Sequence, residues 1–180
     1  MGHKIRKFIL LSVVDGMKTC FFIGHRDTGS NVVPLLEREV ERHISEYSVT
    51  DFTVGHYGTF DAMAAKAVIR AKKRHPKVTL TLLLPYHPEE RPIRIPDGFD
   101  GTLYPPDMER VPKRLAIVRA NQYALRHCTH LIACVSHPSG GSWEILSAAR
   151  KREARGLMHV INLADGNTIG EGAEHNLNRL

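Results

Sequence analysis

Three glycine-bounded loops carry the residue types that could do chemistry. The first, Gly24-His25-Arg26-Asp27-Thr28-Gly29-Ser30, follows the apolar run Phe21-Phe22-Ile23 and precedes a helical pattern. Gly24 and Gly29 permit tight turns, Ser30 or Asn31 can cap the helix, and the helix's first N–H groups favour an anion. His25 and Arg26 would add donors to a phosphate or carboxylate. The plainer alternative is a simple glycine turn with Arg26 in solvent.

The second loop, Gly55-His56-Tyr57-Gly58-Thr59-Phe60-Asp61, repeats the arrangement after Phe52-Thr53-Val54. Asp61 can complement the dipole of the helix it opens, or bind a ribose hydroxyl, and the two roles are compatible. The third is His137-Pro138-Ser139-Gly140-Gly141-Ser142-Trp143-Glu144. Gly140, Gly141 and Ser142 leave room for a ligand against a helix N-terminus. With Gly141 as N-cap, Glu144 occupies N3, whose side chain reaches back to cap. A carboxylate held beside such a loop could also act as nucleophile or general base at an anomeric carbon. The spacing by itself favours the cap.

The 11 histidines and three cysteines invite a metal reading, and His127, Cys128, His130, Cys134 and His137 lie close in sequence. They span a helix end and a strand, where side-chain directions diverge, and no paired C-x-x-C or H-x-x-x-H unit occurs. No metal site is expected. Cys128 and Cys134 read as small apolar residues.

Alternating strands and helices must position these loops. After Phe21-Phe22-Ile23, residues Val32, Val33, Leu36, Val40 and Ile44 recur at a helical period. Phe60, Met63, Ala64, Ala67, Val68 and Ala71 mark a second helix, and Val78 to Leu84 reads as a strand covered on both faces. From His87 to Pro106 five prolines make regular structure unexpected, so this segment reads as a long functional loop. A third helix with Leu115, Ile117, Val118, Tyr123 and Leu125 inward, a strand Leu131 to Val135, and a fourth helix with Ile145, Leu146, Ala148 and Ala149 inward follow. Met158 to Leu163 forms a last strand. The pattern predicts an α/β Rossmann-like three-layer sandwich with a mainly parallel sheet, in which ligands bind at the carboxyl ends of the strands.

The chain has 180 residues, 42% of them apolar and 24% charged, which fits one globular unit and excludes a disordered or collagen-like protein. Residues 18–163 are expected to form a single domain, with 1–17 an extension, an extra strand or an upstream start, and 164–180 a polar tail. The apolar stretch Phe8 to Val14 is short for a signal peptide and lacks a cleavage site, and no span is long enough to cross a membrane. Three cysteines argue against a disulfide framework, so the cytoplasm is the expected compartment. The net charge of +6 fits nucleic acid or a small phosphorylated ligand. Its densest runs, Arg70 to Lys77 and Arg150 to Arg155, have the spacing of solvated helix faces.

Cys-Phe-Phe-Ile-Gly-His-Arg, then Gly-x-x-Gly-x-x-Asp with Ala64-Ala65, the ending Leu84-Pro85-Tyr86, Asn121-Gln122-Tyr123 and the Leu131–Val135 strand succeed one another over residues 18–163. This succession resembles the YpsA-like branch of the SLOG superfamily, named for the DNA-processing protein DprA/Smf and the Lonely Guy enzymes. The resemblance implies a domain that binds a nucleotide or nucleotide-derived ligand, without implying a cofactor. Arg119 and Asn121 would belong to a phosphate-binding helix. Lonely Guy enzymes hydrolyse the N-glycosidic bond of nucleoside monophosphates, and Gly140-Gly141-Ser142-Trp143-Glu144 keeps their Gly-to-Glu spacing with Gly141 in place of Thr and His137-Pro138 in place of Gly-Gly. Three functions are therefore expected in descending order: ligand binding or sensing, N-glycosidic chemistry at Glu144, and DNA binding. A homo-oligomer is left open.

Overall fold

The structure is a computed structural model describing residues 16–166. The expected extension, as far as residue 15, and the tail from residue 167 lie outside the described residues.

β1 (Lys18–Gly24) is apolar on both faces because it runs through the middle of the sheet. A 3₁₀ turn, Ser30–Val32, leads into α1 (Val33–Ser45), and β2 (Val49–Val54), α2 (Thr59–Lys72) and β3 (Thr79–Leu83) follow. β4 (Gly101–Leu103), two further 3₁₀ turns, α3 (Ala116–Arg126), β5 (His130–Cys134), α4 (Gly140–Glu153) and β6 (His159–Asn162) complete the described elements. The strands lie in the order β4-β3-β2-β1-β5-β6 and every pairing is parallel. This is the Rossmann-like three-layer arrangement read from the sequence.

Alternation along β1 feeds two cores. Cys20 and Phe22 face α1 and α2, while Phe21 and Ile23 face α3 and α4. Phe22 stacks on Phe52 at 5.8 Å in the first core. Each such fully buried side chain contributes about 1.5–3 kcal/mol of transfer free energy. α2 presents Ala64, Ala67, Val68 and Ala71 to the sheet, and these small residues let the helix approach closely. At the end of β1 the approach is closest, because a Cβ on Gly24 would stand 2.4 Å from Phe60 Cγ. Only glycine fits there.

Sequence and structure differ in four places. The segment 87–106 holds an edge strand, β4, pinned where Leu80 N donates to Asp100 Oδ2 at 2.7 Å and Asp100 N donates to Leu80 O at 2.9 Å. Three residues among prolines carry too little alternation to be read as a strand, although an edge position tolerates prolines. The N-cap of α4 is Ser139, which makes no side-chain capping bond, rather than Gly141, so Glu144 is the fifth helical residue and lies beyond N3. Ala148 is exposed. Finally, α3 buries Ala116, Ala120, Ala124 and Leu125, and Leu115 is left exposed in the preceding 3₁₀ turn.

Candidate functional site

The strand order reverses between β1 and β5, so the loops after these strands diverge to opposite faces of the sheet. A pair of imidazoles closes this point. His25 and His137 stack with centroids 3.7 Å apart and planes at 12°. His25 N donates to Cys134 O at 3.2 Å, and Ser136 N donates to His25 Nε2 at 3.1 Å. Nε2 therefore needs its lone pair, which agrees with a His25 pKa lowered by burial and then by His137. His25 was expected to donate to a ligand through this loop, whereas its Nε2 is an acceptor committed to the protein backbone.

A cleft opens beside this closure, at the carboxyl ends of β1, β2 and β3 under α3 and α4. Gly24, Arg26, Gly55, Gly58, Asp61, Asn121 and Ser142 all line it, together with Tyr57, Pro85 and Ile117. Backbone hydrogen bonds fix its walls to one another. Thr59 N and Thr59 Oγ1 donate to Arg26 O at 2.9 and 2.8 Å, tying the first loop to the second. Ser142 Oγ donates to Gly24 O at 2.8 Å, tying α4 to β1. Ser142 has its hydroxyl proton engaged there, so toward a ligand its oxygen can act only as an acceptor.

Asp61 accepts from Tyr57 N at 3.0 Å. Burial nevertheless outweighs that bond and the field of Arg26, and pushes its pKa up to about 6. The cleft thus holds a carboxyl that titrates near pH 6. Arg26 is exposed on the opposing loop and forms no ion pair among the described residues. A guanidinium, a titrating carboxyl, a carboxamide and a hydroxyl face one space lined with glycine backbone. This set can hold an anion and a neighbouring polyol.

Other residues singled out from the sequence lie elsewhere. On α3, Ile117, Ala120 and Asn121 line the cleft. Arg119 is two residues from both Ile117 and Asn121, about 200° round the helix, exposed and bonded to Gln122 Oε1 at 3.2 Å. Glu144 stands in the same relation to Ser142 on α4 and is also exposed. Gly140 and Gly141 are exposed with open space around them, and Gly140 takes φ +80°, a backbone that favours glycine.

Tyr57, on the cleft wall, was not singled out from the sequence as a site residue. Its place within the Gly55–Gly58 loop was the available signal. Among the described residues no group of three or more His, Cys, Asp or Glu is arranged to hold a metal, and no helix is long and apolar enough to cross a membrane. Cys20 and Cys128 are buried free thiols, and burial pushes Cys128 up to about 12.

No protein-family model matches the chain, and no curated protein matches its sequence at the search threshold. Solved structures do match in fold. DNA processing protein A (DprA) from Streptococcus pneumoniae aligns at TM-score 0.56 and 14% identity over 87% of this chain and 54% of that one. The Moco carrier protein from Chlamydomonas reinhardtii aligns at TM-score 0.51 and 18% identity, over 83% and 93% of the two chains. DprA from Helicobacter pylori, a protein described with a single-stranded DNA binding mode, aligns at TM-score 0.50 and 15% identity over 79% and 64%. The chain spans about half the length of the pneumococcal protein. At these identities the likeness is one of fold: a Rossmann-like α/β domain.

Proposed function

We propose that this chain binds a phosphorylated nucleotide or nucleotide-derived ligand in the cleft between Arg26 and Asp61, as a binding or sensing domain of the YpsA-like branch. The observation that carries the reading is the convergence of Arg26, Asp61, Asn121 and Ser142 on one cleft at three adjacent strand ends. Arg26 takes the phosphate, since a guanidinium matches its oxygens in a bidentate fork. Asp61 and Asn121 take sugar hydroxyls. Thermal-shift measurements against nucleoside mono- and diphosphates, ADP-ribose and cyclic nucleotides test it. Stabilisation by at least one member at millimolar concentration is expected, and none from any member overturns it.

DNA binding is the second reading, favoured by the fold shared with DprA. Five of the nine cations in the basic runs are held by the protein itself, which weighs against it. Arg70 pairs with Glu37, Arg74 with Glu41 at 2.7 Å and Lys72 with Asp100 at 2.5 Å. Arg150 pairs with Glu153 and Asp165, each at 2.7 Å, and Arg152 donates to Leu125 O. These cations are answered within the fold. A gel-shift series with binding that falls steeply as salt rises would favour DNA. N-glycosidic chemistry at Glu144 ranks lower, because that carboxylate is exposed about 200° round α4 from the cleft-lining Ser142.

A further inference from the structure

A second recess adjoins the cleft, sharing Tyr57 and Pro85 with it, and its remaining walls include His56, Tyr86, Arg91 and Ile93. Its floor is aromatic. Tyr57 stands edge-on to Tyr86, with centroids 6.3 Å apart and planes at 80°. Tyr86 is anchored where its hydroxyl donates to Lys113 O at 3.3 Å, just before α3. The guanidinium of Arg91 lies 3.9 Å from the centroid of the Tyr86 ring, and Arg91 lines the recess together with Tyr57. Arg91 itself is exposed and belongs to a segment without regular structure.

A guanidinium is flat and delocalised, and it stacks on an aromatic face as a heterocycle does. Arg91 therefore occupies the stacking position that a planar ring would take. The neighbouring tyrosine edge bounds that position, and continuity through Tyr57 and Pro85 joins it to the anion-binding cleft.

From this juxtaposition we infer that the recess is the ring subsite of the ligand: a nucleobase attached to the phosphorylated sugar stacks on Tyr86, and Arg91 moves aside to cover its other face. The inference rests on the proposed cleft reading for the phosphate and sugar, and it assigns the class of ring. The base can come from a free nucleotide or from one unit of a single strand, since both present the same flat surface beside a sugar phosphate.

Calorimetric titration of the full chain with ribose 5-phosphate, a nucleoside, its 5′-monophosphate and a short single-stranded oligonucleotide of the same base tests it. Stacking predicts that the monophosphate or the oligonucleotide binds about tenfold or more tightly than ribose 5-phosphate, a gain of the size aromatic–base contacts supply. Tyr86→Leu and Arg91→Ala remove the gain and leave ribose 5-phosphate binding unchanged, while Tyr86→Phe keeps it. A gain with the monophosphate identifies a free nucleotide, and a gain confined to the oligonucleotide identifies a strand. Equal affinity for sugar phosphate and monophosphate, with no gain for the oligonucleotide, overturns the inference, as does equal weakening of both by Tyr86→Leu. Nucleoside binding that depends on Tyr86 and gains nothing from a phosphate overturns the cleft reading alone. Failure of all four ligands overturns both.

Discussion

Asp61 opens α2 with its carboxyl turned back onto the Tyr57 amide, and burial there lifts its pKa from 3.8 to about 6. A carboxyl with a raised folded pKa stabilises most below its unfolded value, and the contribution is lost as pH rises through about 6. Asp61→Asn should therefore gain stability relative to the wild type between pH 5 and 7.5, read from urea midpoints at the two pH values. The opposite dependence comes from His43, His130 and His159, which pack with Tyr47 at the amino ends of β5 and β6. His43 Nδ1 donates to Glu39 O at 2.7 Å, its Nε2 is buried without a partner, and burial lowers its pKa to about 3. His130 is lowered to about 4, and His159 is lowered too; Lys18, Arg42 and Arg150 oppose their protonation while Glu153 favours that of His159. His43 and His130 stay neutral in the fold down to about pH 4 and take up protons on unfolding, so stability should fall as pH drops below about 6.5, by up to about 1.4 kcal/mol per pH unit for each of these two rings, and His159 acts in the same direction. His43→Phe should flatten that slope between pH 4.5 and 6.5 in urea titrations, and an unchanged slope would remove His43 as a source.

At the scale of elements, the β1 end and α2 meet without space for a methyl group. Gly24→Ala puts a Cβ against the Phe60 ring, and overpacking of this kind costs about 1–3 kcal/mol. Its melting temperature should drop by several degrees, and Gly24→Ala with Phe60→Leu should recover part of the loss. The α1–α2 ion pairs are a contrast. Arg70 and Arg74 are exposed and Glu37 is half-buried, so Arg70→Ala should shift stability by less than about 1 kcal/mol. The helix faces explain what the sequence left illegible. Spacing alone located α3 and α4, but the rotational phase of α4 depends on its first residue. Moving the cap from Gly141 to Ser139 is two residues, and two residues also separate Glu144 from the cleft-lining Ser142. Arg119 stands likewise two residues from Asn121, so a motif in register can still present its charge to solvent.

For the whole molecule, the parallel order and the location of the cleft were legible, because glycine loops after buried apolar runs mark strand carboxyl ends. β4 was not, since three residues between prolines show no period. The His25–His137 stack joins residues 112 positions apart and the recess brings Tyr57 to Tyr86 and Arg91, 29 and 34 positions on, and local spacing carries no sign of such contacts. In the proposed reading Arg26, not Arg119, meets the ligand phosphate. The most direct measurement is the affinity of wild type, Arg26→Ala and Arg119→Ala for whichever nucleotide stabilises the wild type most. About a tenfold or greater loss is expected for Arg26→Ala, as for a charged hydrogen-bonded contact, and near wild-type binding for Arg119→Ala. Full binding by Arg26→Ala, or a loss confined to Arg119→Ala, would contradict it.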